Sequence, residues 1–285
     1  MKHLETPLCW VGGKNRLKRF LVTLIPKHDI YAEPFFGAGH LLFWKEESKV
    51  EYIFDKDDLL INLWQVIKNS ELNKQFLEFL TYHPTSRTLY MKYRNILKNP
   101  EEYKKLDLVT RAGMAYYIIK CSFGTARVFT GQESWGFSAV RGKNFSAFYN
   151  TIWSLIFERL KDVMIENRDF REFFELFHKA DKDTFLYVDP PYFSTLEQKT
   201  YRFDFSVQDH RDLAKCLKEF GGNFMLSIDS CEESKQIYDG FNKIEIDNIY
   251  TVNNGLLLED RVTKEFVITN YELPKIPTQQ ILFEL

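Results

Sequence analysis

The sequence predicts an α/β fold, an open sheet with helices on both faces, interrupted by a mostly helical insertion. Three observations carry this. Short strand-type apolar runs alternate with helix-spaced segments over the first seventy residues and again from about residue 151. The intervening stretch, from about Glu71 to Phe148, is helical in spacing, basic, and without alternating strands. Finally, the run Phe185-Leu186-Tyr187-Val188 stops at Asp189-Pro190-Pro191-Tyr192, because consecutive prolines lack backbone donors and have fixed φ, so no strand continues through them. The organisation expected is 1–70 and 151–285 as two halves of one sheet domain, with 71–150 inserted between them.

Taken in order, Lys14 to Ile25 has helical spacing in Leu17, Phe20, Leu21 and Leu24, following the Gly12-Gly13 turn. Lys14 thus sits where a glycine turn opens into a helix, a position for an anionic group. The full Gly-x-x-x-x-Gly-Lys-Ser/Thr pattern is absent, so a nucleoside triphosphate site is not expected. Ile30-Tyr31-Ala32 reads as a strand, Glu33-Pro34-Phe35-Phe36-Gly37-Ala38-Gly39 as a loop, and a helix starts at His40. Strand, glycine loop and helix is the layout in which backbone comes close to a cofactor. Leu42 stands where a dinucleotide fingerprint has its third glycine, which disfavours an NAD-dependent oxidoreductase. Tyr52-Ile53-Phe54 is a second strand closed by Asp55, placed to accept hydrogen bonds from ribose hydroxyls. Asp57 and Asp58 read as helix N-terminal residues, favoured there by the helix dipole, and Leu60, Leu63, Trp64 and Ile67 form a core stripe.

Within the insertion, Phe123 to Phe145 is rich in Gly, Ser, Thr and aromatics and reads as a loop or hairpin where recognition commonly lives. The α/β pattern resumes with a strand at Val163-Met164-Ile165, a helix over Phe173 to Lys179, the Asp-Pro-Pro-Tyr strand, and a helix over Val207 to Phe220. A strand over Asn223 to Ile228 ends in Asp229-Ser230, and Lys243 to Ile249 and Glu265 to Tyr271 read as two late strands.

In an open α/β sheet, ligands bind beyond the carboxyl ends of the strands. A rigid Asp189-Pro190-Pro191-Tyr192 turn there offers two fixed acceptors, the Asp189 carboxylate and the Pro190 carbonyl, beside a flat ring. That is a kit for a planar base carrying an amino group; the plain alternative is a proline turn after a buried strand.

The chain carries a net charge of −2, which marks no general nucleic-acid binder, but the charge is uneven. Between Thr81 and Asn150, eleven Lys/Arg face four acidic residues, an excess of seven that leaves −9 for the remainder. A basic segment in an acidic protein reads as a polyanion-binding surface or as a solvated helical face. Cys9, Cys121, Cys216 and Cys231 are scattered without metal or disulfide spacing, and the six histidines form no triad, so both sets read as structural and no metal is expected. Neither a signal peptide nor a membrane-length apolar run is seen, so a cytoplasmic protein is expected.

Trp10-Val11-Gly12-Gly13-Lys14, the Glu33-to-Gly39 loop and Asp189-Pro190-Pro191-Tyr192, in that order, resemble the Dam-type (alpha-group) family of S-adenosylmethionine-dependent DNA adenine-N6 methyltransferases. The similarity takes in Asp55 with Leu60 to Trp64, the Ser227-Ile228-Asp229 strand end, and Lys264 to Tyr271, leaving out the middle insertion. The resemblance implies a Rossmann-like class I methyltransferase sheet and S-adenosylmethionine as cofactor. It implies cofactor contacts from Trp10, Lys14, Glu33, Phe35, Gly37, Gly39, Asp55, Asp169 and Phe170, the last two matching more loosely. Asp189, Pro190 and Tyr192 would bind the target adenine, flipped out of duplex DNA. The insertion would read DNA, with Arg127, Arg141 and Lys143 as candidate contacts. Relatives that read GATC carry an Asn-Gly…Arg run, whereas this chain has Ser122-Phe123-Gly124-Thr125-Ala126-Arg127, so GATC is not carried over. Arg127 reads as a guanine-edge or a phosphate contact. The expected partners are double-stranded DNA and, as a candidate, a cognate restriction endonuclease; a monomer is expected. Methylation of cytosine N4 or of RNA adenine, and a non-catalytic nucleic-acid-binding role on the same scaffold, are the alternatives.

Overall fold

The computed structural model describes residues 3–8, 14, 17–122, 135–136, 152–197, 201–249 and 262–273. Among them, seven strands form one sheet: β1 (Ile30–Glu33), β2 (Val50–Asp55), β3 (Met164–Asn167), β4 (Thr184–Val188), β5 (Asn223–Asp229), β6 (Asn242–Ile249) and β7 (Val262–Thr269). Their order across the sheet is β3-β2-β1-β4-β5-β7-β6. The first five are parallel, and β7 runs antiparallel to both its neighbours. From β1 the chain steps outward to β2 and β3, then returns to place β4 on the other side of β1. The order therefore reverses between β1 and β4, the place where open α/β sheets bind ligands.

The strands are buried on both faces. Tyr31, Phe185 and Tyr187 enter one hydrophobic cluster, whereas the alternate residues Ala32, Leu186 and Val188 enter the other. This is the physical reason the central strands read as continuous apolar runs rather than as alternating ones.

Twelve helices are described: α1 (Lys18–Thr23), α2 (His40–Trp44), α3 (Asp58–Lys68), α4 (Ser70–Tyr82), α5 (Arg87–Lys98), α6 (Pro100–Tyr103), α7 (Leu108–Cys121), α8 (Trp153–Leu160), α9 (Phe170–Leu176), α10 (Phe193–Leu196), α11 (Val207–Glu219) and α12 (Glu232–Ile237). From α3 to α7 the starts are set by capping side chains: Asp57, Asn69, Ser86, Asn99 and Asp107 each accept from a backbone N–H one turn in. Between β2 and β3 the described chain forms helices α3 to α8, with one isolated antiparallel bridge. Its α7 is buried from Ala112 to Ile119 and packs on α3, α4 and α5. Phe76, Leu80, Tyr90 and Tyr117 of these helices belong to the same cluster as Tyr31, Ile53 and Phe185 of the sheet.

Some element boundaries depart from the sequence reading. Helix α1 begins at Lys18, not Lys14. Helix α9 begins at Phe170, earlier than expected, because Asp169 and Glu172 form a reciprocal capping box. Strand β7 starts at Val262 because its antiparallel pairing with β6 extends back to Ile249. Among the basic residues of the middle segment, Arg94 is buried, so that charge is not all on the surface. The loop or hairpin expected over Phe123 to Phe145 lies outside the described residues except for Trp135 and Gly136. Trp135 bridges antiparallel to Ser122, and Gly136 N donates to the Cys121 carbonyl at 2.8 Å. No helix among the described residues is long and apolar enough to cross a membrane.

Candidate active site

One cleft opens at the reversal point, enclosing about 1010 Å³ with its mouth included. Its floor is the loop after β1. Gly37 and Gly39 both adopt left-handed backbone, with φ of 53° and 68°. A side chain at Gly39 would also collide with Phe36, since a Cβ there would lie 2.3 Å from the ring; glycine is required on both counts. The loop is pinned from several sides. Phe36 N donates to the Phe54 carbonyl (3.0 Å), Trp64 Nε1 donates to the Gly37 carbonyl (3.1 Å), and Thr6 Oγ1 donates to the Ala38 carbonyl (2.6 Å). Gly37 N donates to Asp55 Oδ2 and Asp57 N to Asp55 Oδ1, both at 2.9 Å. Burial pushes the Asp55 carboxyl up to about 6, with the nearby Asp57 adding to the rise and the two amides holding it back.

The opposite wall is the turn after β4. Lys14 Nζ lies 2.7 Å from Asp189 Oδ1, and Ser227 Oγ donates to the same oxygen at 3.0 Å. Asp189 Oδ2 accepts no hydrogen bond among the described residues. Tyr187 OH and Ser227 Oγ are 2.9 Å apart, extending the contact inward. Tyr192 OH donates to Glu265 Oε2 at 2.7 Å, and Lys14 Nζ sits 4.6 Å from the centre of the Tyr192 ring. Just beyond, Phe193 N and Ser194 N donate to the two oxygens of Asp229, at 3.0 and 2.8 Å. The turn is thus fastened at both ends. Burial raises the Asp189 carboxyl above its ordinary range; Lys14 opposes this and Glu265 adds to it.

Aromatic rings close the third side. Phe35 and Phe170 stack with centroids 5.5 Å apart, and Phe205 meets Phe35 edge-on at 5.7 Å. Asp169, at the start of α9, pairs with Lys56 at 3.0 Å. The strap from Tyr201 to Phe205 lies along the cleft. Arg202 fastens it, with Nη1 at 2.5 Å from Asp57 and 2.8 Å from Asp58, and Nη2 donating to Tyr103 OH at 2.8 Å. The cleft therefore offers an aromatic wall for a flat ring to lie against, a carboxylate at the end of β2, and a fixed carboxylate after β4.

The family model for D12 class N6 adenine-specific DNA methyltransferases matches residues 10–252. The chain belongs to that family. It is 27% identical over 274 residues to the Type II methyltransferase M1.LlaDCHI of Lactococcus lactis subsp. cremoris, an alignment spanning 92% of this chain and 94% of that protein. It is 24% identical over 264 residues to a DNA adenine methylase of Haemophilus influenzae, spanning 86% and 87%. A solved structure, precorrin 8W decarboxylase from Methanobacterium thermoautotrophicum, aligns over 90% of this chain and 89% of its own at 11% identity and a TM-score of 0.35, too distant to bear on the fold.

In this D12 class adenine-specific DNA methyltransferase, Lys14, Glu33, Phe35, Gly37, Gly39, Asp55, Asp169, Phe170, Asp189, Pro190 and Tyr192 all line the one cleft. Trp10, Arg127, Arg141 and Lys143 lie outside the described residues. Glu33 lines the cleft with its carboxyl 2% exposed, accepting from Tyr31 OH at 2.6 Å. His40 departs from a purely structural reading: it lines the cleft, and its buried Nδ1 has no hydrogen-bond partner among the described residues. Burial, with Lys18 and Lys14 nearby, lowers it to about 3, so it is neutral at physiological pH. Sequence reasoning missed Glu265 and Arg202 as parts of this site. Glu265 left a signal, a lone carboxylate leading the apolar Phe266-Val267-Ile268 run. Arg202 left none, since nothing in Tyr201-Arg202-Phe203 distinguishes it from a surface cation.

Proposed function

We propose that this DNA adenine methyltransferase takes its methyl group from S-adenosylmethionine, bound over the glycine loop, and delivers it to an adenine flipped out of duplex DNA onto the Asp189-Pro190-Pro191-Tyr192 turn. The supporting observation is the division of labour at Asp189: Lys14 and Ser227 hold Oδ1, while Oδ2 has no hydrogen bond among the described residues. When bound, S-adenosylmethionine supplies an electrophilic methyl on a sulfonium. The residues present fit it. The Phe35–Phe170–Phe205 cluster gives a flat ring an aromatic surface to lie against, and Asp55 accepts from ribose hydroxyls.

The chemistry left to the chain is alignment and polarisation. An adenine amino nitrogen is a poor nucleophile because its lone pair is delocalised into the ring. Asp189 Oδ2 and the Pro190 carbonyl accept its two hydrogens and favour the pyramidal nitrogen that attacks, which is transition-state electrostatics in a fixed frame. Asp189 need not be a strong base, since the nitrogen turns acidic only once methylated. Residues 71–150 serve as the target-recognition segment, with Arg127, Arg141 and Lys143 contacting DNA. The enzyme acts as a monomer in the cytoplasm, and a cognate restriction endonuclease is its candidate partner.

The test is methyl transfer from labelled S-adenosylmethionine to unmethylated genomic DNA, followed by nucleoside digestion and site mapping. Label in N6-methyladenine is expected. Label in N4-methylcytosine, or transfer only to RNA, would overturn the reading.

Asp55 gives a pH signature. Its carboxylate accepts from the ribose hydroxyls more strongly than the neutral carboxyl does, and its pKa is raised to about 6, so affinity is full above that value and weakens below it. Calorimetric titration with S-adenosylhomocysteine should give a Kd roughly tenfold weaker at pH 5 than at pH 8. Asp55→Asn should bind weakly at both pH values, with the difference between them largely gone.

A further inference from the structure

We propose that Glu265 is a positioning residue for methyl transfer, holding Lys14 and Tyr192 so that one oxygen of Asp189 stays available to the target amino group. The inference rests on the role proposed for Asp189.

Glu265 is 1% exposed and sits on β7, opposite Asp229 of β5 and Ile246 of β6. A carboxylate on the buried face of a strand is costly unless it is paired. Two of its contacts are to the adenine-binding turn and its cation: Tyr192 OH donates to Oε2 at 2.7 Å, and Lys14 Nζ lies 3.9 Å from the same oxygen. Lys14 Nζ in turn touches Asp189 Oδ1 at 2.7 Å and lies against the Tyr192 ring. Since Tyr192 and Asp189 are joined by Pro190-Pro191, the four side chains form a closed circuit through a stiff backbone.

The circuit has a consequence for Asp189. An ammonium has three donors and settles between the two oxygens of a carboxylate when nothing else holds it. Glu265 is a second anion on the far side of Lys14. Sharing the cation between two carboxylates keeps Lys14 on Oδ1 alone and leaves Oδ2 to the substrate. Removing the Glu265 charge takes away one of the pulls that hold Lys14 on Oδ1, so that Lys14 shifts toward Oδ2 and competes with the adenine amino group. Tyr192 meanwhile loses the anchor that fixes its ring. Neither effect needs Glu265 to touch substrate.

The experiment compares Glu265→Gln, nearly the same shape without the charge, with Glu265→Asp, which keeps the charge on a shorter stem. In single-turnover assays with saturating cofactor and DNA, Glu265→Gln should slow methyl transfer roughly 30- to 100-fold. S-adenosylhomocysteine affinity and the DNA KM should stay within about threefold of wild type. Glu265→Asp should recover at least about tenfold of the lost rate. The acid limb of the rate profile should also move to lower pH in Glu265→Gln, because Asp189 faces Lys14, Glu33, Tyr187, Tyr192 and Glu265 and the change removes one of its repelling charges. Equal rates for Gln and Asp, or an unmoved acid limb, would show that Glu265 matters only for packing and overturn the proposal. Should Glu265→Gln fail to fold, Tyr192→Phe, which removes only the phenol, must still slow transfer by about threefold or more; an unchanged rate sinks the idea. Asp189→Ala, run in parallel, separates the layers. If it keeps most of its turnover, the role of Asp189 is wrong; if it is inactive while both Glu265 variants are normal, only the present proposal is.

Discussion

Asp189→Ala will lose about 10³-fold in the rate of methyl transfer, roughly 4 kcal/mol of barrier, while binding S-adenosylhomocysteine within about threefold of wild type. The separation follows from geometry. Phe35, Asp55 and Phe170, placed to hold the cofactor, lie in the loop after β1, at the end of β2 and at the start of α9, and none of the three is hydrogen-bonded to Asp189; of the implied cofactor contacts, Lys14 is the one that touches it. What the substitution removes is an acceptor already aligned by Lys14 and Ser227, in a wall too buried for water to replace it well. Asp189→Asn should fall between the two: its carbonyl still accepts one hydrogen, but its amide faces Lys14 with a donor where an acceptor stood. Quenched-flow transfer rates and calorimetry on the same preparations decide it, and an Ala variant with most of its turnover refutes the role.

The second large effect is on stability. Glu33, buried at the end of β1, is raised to about 8, chiefly by burial; the Tyr31 hydroxyl opposes the shift and the neighbouring Asp189 charge adds to it. At neutral pH the native carboxyl is therefore protonated, whereas in the unfolded chain it has lost its proton above about 4.5. The native state binds the extra proton, so the contribution is complete below about 4.5, declines as pH rises, and is gone above about 8. That displacement corresponds to roughly 5 kcal/mol, an order-of-magnitude figure for a fully buried group. Glu33→Gln cannot ionise. Urea unfolding across pH 5 to 9 should show the variant gaining several kcal/mol on the wild type over that range. A difference independent of pH would mean that Glu33 is ionised in the folded protein.

The central sheet was legible because its strands are short apolar runs with a marked end: Glu33-Pro34 at the close of β1, Asp55 at the close of β2 and Asp189-Pro190 just past β4. Those same ends line the cleft, so most of the candidate site could be read with the fold. What escaped was contributed from a distance. Glu265 meets Tyr192 across 73 residues, and Arg202 reaches Asp57 across 145; such contacts depend on strand order and register, which no local pattern encodes. The early start of α9 was a different miss. Its capping box is local, but Asp169 lies in a polar run, Glu166-Asn167-Arg168-Asp169, that reads equally well as a turn.

The single hydrophobic cluster that runs from Tyr31, Ile53 and Phe185 into Phe76, Leu80, Tyr90 and Tyr117 bears on whether the helices between β2 and β3 can be exchanged as a unit. A helical segment that closes its own core can be lifted out and grafted elsewhere as a cassette. Here, cutting at its borders would expose large apolar side chains on both pieces, including those of α7, which is buried from Ala112 to Ile119. The helices between β2 and β3 and the sheet therefore fold as one unit, and a substitution in their shared cluster is felt on both sides of it.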